Sequence, residues 1–102
     1  MSSYAVDRAA WEKRTIFEQM GNIGSEVGRA LHAQKRGNVE RMWQAAARAD
    51  DLFEATASQW RGGRLREILR AREQFMGALL GESADGLENY FMQFAVAARS
   101  GR

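Results

Sequence analysis

The sequence predicts an all-α protein, an antiparallel bundle of four helices with a long first hairpin and two shorter helices. Three observations carry this. The 102-residue chain contains no proline, the residue that most often supplies strand edges and turns. Its commonest residues include Ala, Arg, Glu, Leu, Met and Gln, all good helix formers. Its apolar positions recur at spacings of three and four, with no run of β-branched residues alternating at period two. A chain of this length is read as one domain spanning residues 1–102.

The first helix is expected over about residues 7–36. Phe17, Met20, Gly24, Val27 and Leu31 step by three and four along one stripe. The stripe keeps its phase through the glycine-rich stretch "GNIGSEVG", which predicts unbroken helix there. Gly37 ends this helix and Asn38 caps the second, expected over 39–61. Met42, Ala46, Ala49, Phe53, Thr56 and Trp60 form its stripe, and "RGGR" (61–64) is the stop. The third helix, 64–80, carries Leu65, Ile68, Leu69, Phe75, Met76 and Leu79. Gly81 closes it. The fourth, 85–99, opens on the pair Asp85 and Glu88, read as a capping box, with Leu87, Phe91, Phe94 and Ala98 facing inward.

Glycine inside a helix costs about 0.5–1 kcal/mol relative to alanine, so three close together call for a reason. Gly21, Gly24 and Gly28 share one face with Ser25 beside them, a smooth strip that admits a close neighbour. The expected neighbour is another helix of the chain, and the Ala45–Ala46–Ala47 and Ala49 region suits it. A second subunit or a ligand are the alternatives. The first two helices outrun the last two, so Trp11 and Trp43 are expected to be exposed unless a second copy covers them or the N-terminal turns fold back. This predicts a homo-oligomer.

Composition excludes several kinds of chemistry. There is no cysteine, hence no disulfide framework and no thiolate metal site. No apolar run approaches the ~18 residues of a membrane span, so no membrane partner is expected. The N-terminus lacks the basic-then-apolar order of a secretory signal, and a cytoplasmic location follows as the default. His32 is the single histidine, and Arg29 stands three before it where a di-iron helix carries glutamate. "GNIGSEVG" has neither the spacing nor the preceding strand of a dinucleotide loop. Glu26, Asp51, Glu54, Glu73 and Glu88 place carboxylates on every helix, which leaves a carboxylate metal site open as a third alternative. No catalytic, cofactor-binding or metal-ligating residue is assigned, and the chain is read as not an enzyme.

Two groups of polar residues remain. Asn22, Glu26, Asp51, Glu54, Arg70 and Glu73, with Arg66 and Arg72 nearby, are read as a polar network between helices, because charges at a bundle interior need partners. Arg61, Arg64, Arg66, Arg70 and Arg72 form the densest positive stretch, partly offset by Glu67 and Glu73. Of the 15 basic residues only Lys13 and Lys35 are lysine, and arginine suits bidentate phosphate contacts. The formal net charge is nonetheless only +2.

The segments "NIGSEVGRA", "DLFEAT", "RLREILRARE" and "YFMQFAVAAR" resemble, in order and spacing, those of a family of small prokaryotic four-helix proteins. More distantly, the architecture is similar to the bundles encoded in ribosomal RNA intervening sequences and to accessory proteins of diversity-generating reverse transcriptases. The resemblance implies an oligomeric bundle that contacts nucleic acid or a polymerase partner, and it supplies no catalytic residue. The expected function is a self-associating scaffold or accessory subunit with an unidentified protein partner. The alternative is an RNA- or DNA-binding accessory protein using the arginines of the third helix.

Overall fold

Among the described residues there are five helices, not four. The computed structural model describes residues 6–100. In chain order the helices are α1 (Arg8–Glu12), α2 (Ile16–Lys35), α3 (Val39–Ala57), α4 (Gly62–Leu79) and α5 (Leu87–Arg99). They pack into a body with a radius of gyration of 13.2 Å, the size of a compact domain of this length. No strand occurs among the described residues.

The helix expected over 7–36 is broken at Lys13 and Arg14, and its physical reason is a capping box. Thr15 has extended backbone, and its side chain accepts from Glu18 N at 3.1 Å. The Glu18 carboxylate accepts in return from Thr15 N at 2.9 Å. Two otherwise orphaned amides are satisfied, so α2 starts afresh at Ile16. The preceding short α1 is capped by Asp7, which accepts from Ala10 N. Downstream, α2 runs unbroken from Ile16 to Lys35, and the glycine-rich stretch is helical throughout.

The remaining boundaries move by a few residues. Asn38 caps α3 by accepting from Arg41 N at 3.1 Å, as its side-chain chemistry predicts. α3 ends at Ala57 instead of 61, where Ser58 and Gln59 turn the chain and Trp60 swings inward. Asp85 does not cap α5. Gly86 takes that position with φ 80°, a left-handed conformation that strains any residue with a Cβ, and Asp85 N instead donates to Ser83 Oγ.

α2 is the central element, packed chiefly against α3 on one side and α5 on the other. Its fully covered face is Gln19, Met20, Ile23, Val27 and Ala30. At the middle of the core, the Phe53 ring lies 6.3 Å from Phe75 and 6.2 Å from Phe91, edge-on to the latter. α1 folds back over the end of α3 and covers Trp11, which is only 6% exposed. Burial of Trp11 therefore needs no second copy. Trp43, the other tryptophan expected at an overhang, does stay 45% exposed.

A polar cluster, fully buried at Gln19 and Thr56 and half-buried at Gln59 and Trp60, ties these pieces together. Trp11 Nε1 donates to Thr56 Oγ1 at 2.9 Å, and that hydroxyl donates to Leu52 O at 2.7 Å. Gln19 donates to Trp11 O and to Gln59 Oε1, and accepts from Trp60 Nε1 at 3.0 Å. Every buried side-chain nitrogen and oxygen among the described residues has a partner. Gln19 thus joins α2 to α1 and to the turn before α4, and the Trp11–Thr56 bond brings in α3.

Candidate functional site

The glycine strip lies against α5, not against the alanines of α3. A Cβ added at Gly24 would stand 2.5 Å from Phe91 Cβ, and one at Gly21 would stand 3.2 Å from Ala95 Cα. Gly28 is different: its nearest neighbour would be Glu88 Oε2 at 3.6 Å, an ordinary contact. Ser25 is exposed, and its hydroxyl turns back to Gly21 O on its own helix. Ala45, Ala46 and Ala49 are buried in the core instead, and Ala47 faces outward.

The residues read as an interhelical polar network do not converge. Asn22, Arg70 and Glu73 are exposed, Asp51 is half-buried, and Glu54 pairs at the surface with Arg8 at 3.2 Å. That pair joins α1 to α3, and one other member of the group bridges helices, Glu26. Its carboxylate, 13% exposed, receives Arg48 Nε from α3 at 3.1 Å and Arg29 Nη1 from its own helix at 3.1 Å. The interior network is built from neutral residues (Gln19, Thr56, Gln59 and the two indoles). Their hydrogen bonds are made without desolvating a charge.

The α4 arginines fall into two groups. Arg64 is engaged by Glu67 at 3.0 Å, and Arg72 Nε reaches Asp50 on α3 at 2.8 Å. Arg61, Arg66 and Arg70 are exposed and have no carboxylate partner among the described residues. Glu67 also accepts from Tyr90 OH at 3.0 Å, joining α4 to α5. Burial, then the hydrogen bond to Glu67, raise the Tyr90 phenol well above its ordinary value of 10.0.

Two further features lie outside the sequence-based expectations. The first is a cleft of about 390 Å³ between the end of α2 and the start of α3, lined by Arg29, His32, Arg36, Arg41, Gln44 and Arg48. Arg29 and Arg36 stand seven apart on α2, Arg41 and Arg48 seven apart on α3, so each pair shares a helix face. That double spacing is visible along the chain; which faces meet across the hairpin is not. The second is an exposed apolar row along the α3–α4 seam. Val39 and Trp43 share an edge of α3 with Asp50, and Leu69 and Met76 share an edge of α4 with Arg72. The Arg72–Asp50 bond joins those edges, so both walls of the seam carry uncovered apolar side chains, continued by Leu80 at 78% exposure.

Among the described residues, no three His, Asp or Glu side chains gather where a metal ion could be held. No helix among them is long and apolar enough to cross a membrane. Comparison with protein-family models, with curated proteins and with solved structures returns no match.

Proposed function

We propose that this chain is a non-enzymatic, cytoplasmic interaction module that pairs with a second copy of itself across the α3–α4 seam and works as a scaffold or accessory subunit. In this reading α2 to α5 form an antiparallel four-helix bundle, with α1 as a flap closing one end. The observation that carries the proposal is the exposed row of Val39, Trp43, Leu69, Met76 and Leu80. Scattered apolar residues on a surface need no explanation, but a row bordering one groove does. Trp and Met are favoured at the centres of interfaces. The neighbouring Asp51, Glu54, Arg70 and Glu73 supply charges of both signs, which a two-fold contact needs to be self-complementary.

Light scattering on the eluting protein at micromolar concentration tests this. The expected result is a dimer whose mass halves in Trp43→Glu/Met76→Glu. A parent protein that is already monomeric would end the proposal. A second reading, nucleic-acid binding along α4, draws support from Arg61, Arg66 and Arg70, three exposed arginines with no carboxylate partner among the described residues. Arg64 contributes less to it, because Glu67 holds its guanidinium.

A further inference from the structure

The arginine-lined cleft between α2 and α3 is remote from the seam and is used by neither reading above. Its lining contains four guanidinium groups, one imidazole and no carboxylate. This is a high local charge for a chain whose formal net charge is +2. Glu26 touches two of the four, and it holds them. One oxygen receives Arg29 and the other receives Arg48, so a single half-buried carboxylate sets both groups at the cleft wall. His32 is held in the same manner by Glu88, at 3.3 Å. Arg36, at the end of α2, and Arg41, in the first turn of α3, have no carboxylate partner among the described residues.

Four like charges around one space repel each other unless an anion occupies it. Hydration and salt offset that repulsion in the free protein; a ligand with several acceptor oxygens would do so better. Guanidinium groups meet phosphate through paired N–H donors in one plane, which makes phosphate a better match here than chloride or a single carboxylate. The cleft, about 390 Å³, lies at the hairpin and is open to solvent. Gln44 adds an amide able to donate to a ligand oxygen or accept from a sugar hydroxyl.

We infer that this cleft is a binding site for a phosphate-bearing ligand, with Arg36 and Arg41 as the direct contacts and Arg29 and Arg48 held in place by Glu26. The same chemistry is offered by a phosphodiester chain and by a small phosphate compound, and the test separates them. Fluorescence anisotropy of a labelled single-stranded RNA is measured at low and raised salt, and inorganic pyrophosphate is titrated by calorimetry. The parent chain is compared with Arg36→Gln/Arg41→Gln and with the α4 pair Arg66→Gln/Arg70→Gln. Neither pair removes an ion pair, and the melting temperature of each variant verifies folding.

The expected result is a loss of about tenfold or more in affinity for Arg36→Gln/Arg41→Gln, with a salt slope shallower by roughly 1.4 on RNA, and little change for the α4 pair. Tight RNA binding with weak pyrophosphate binding identifies a phosphodiester ligand. The reverse identifies a small phosphate compound, and either supports the site. Binding of neither probe overturns the inference. So does an equal or larger loss in the α4 variant, which would point to α4 instead. Arg36→Gln/Arg41→Gln leaves Val39, Trp43, Leu69, Met76, Leu80 and their neighbouring charges unchanged, so its outcome is separate from that of the self-association test.

Discussion

Replacing Gly24 by alanine should destabilise the protein, and replacing Gly28 by alanine, one turn along the same strip, should stabilise it. Both positions lie inside α2 and differ in what α5 places opposite them. At Gly24 the new methyl would stand 2.5 Å from Phe91 Cβ and 3.1 Å from its Cγ. Carbon atoms in contact prefer about 3.5–4.0 Å, so the shortfall is roughly 1 Å. Phe91 Cβ is bonded to the α5 backbone, and rotating the ring does not relieve the clash. α5 has to move as a body, which opens the edge-on contact of Phe91 with Phe53. Overpacking of this kind costs about 1–3 kcal/mol. Alanine returns about 0.5–1 kcal/mol in helix propensity, leaving a net loss of about 1–2 kcal/mol.

At Gly28 the nearest atom would be Glu88 Oε2 at 3.6 Å, the tip of a flexible side chain. Nothing opposes the propensity gain of about 0.5–1 kcal/mol there. Urea denaturation of both variants is the assay, with the midpoint converted at the parent slope. The midpoints should fall on opposite sides of the parent, about 2 kcal/mol apart. In a thermal melt each kcal/mol corresponds to roughly 4–8 °C in a domain of this size. If Gly24→Ala melts at or above the parent, or Gly28→Ala falls as far as Gly24→Ala, the close approach of α2 and α5 is not what the glycines serve.

Gln19→Leu fills a similar volume but leaves Trp60 Nε1 and Gln59 Oε1 without their partner, and should cost about 2–4 kcal/mol in chemical denaturation. Thr56→Val removes the acceptor of the Trp11 indole while keeping the side chain's shape. Its expected cost is about 1–3 kcal/mol, with a shift in tryptophan fluorescence, and an unchanged midpoint would contradict the buried bond. Thr15→Ala deletes one half of the capping box at the start of α2 and should cost about 1 kcal/mol. Tyr90 ionises less readily in the folded chain than in the unfolded one. Its contribution to stability is therefore full below pH 10.0, the ordinary value of the group, and is lost as pH rises above it. In Tyr90→Phe the alkaline fall of the urea midpoint should be smaller than in the parent, and equal slopes would contradict the Glu67 bond.

The helical class and the α2, α3 and α5 stripes were legible because burial of one face leaves a period in the sequence, whereas Leu69 and Met76 of the apolar residues named for α4 are exposed. Val27, Leu31, Met42, Phe53 and Ile68 are all in the core. The break before α2 was legible too, since Thr15 and Glu18 have capping-box spacing. The stripe that starts at Phe17 lies wholly within α2 and says nothing of the residues before it. Trp11 is buried by a separate short helix that folds back, not by an extension of α2. At the other end, Asp85 and Glu88 have the same spacing as Thr15 and Glu18 but make no box. Gly86 follows Asp85, and a left-handed glycine can start the helix one residue later.

The polar residues were harder to place, and for a reason that generalises. A charge pattern read along a helix gives the face, and not the height of the neighbouring charge. Glu26 and Arg48 meet because the α2–α3 hairpin is tightly packed along its length. Asp51 and Arg70, of opposite charge on neighbouring helices, do not meet. The interior was then filled by groups that carry no charge pattern at all. The buried Gln19 satisfies three partners at a modest desolvation cost, whereas an arginine–carboxylate pair in the same space is neutral at best. Charge, displaced from the core, accumulates where two helix faces converge at the surface. One such accumulation is at the α2–α3 cleft, where two of four guanidinium groups are met by the Glu26 carboxylate. The other two are left to be screened by solvent ions or a ligand. The salt dependence of the chain's stability and binding is therefore expected to originate there and not in the core.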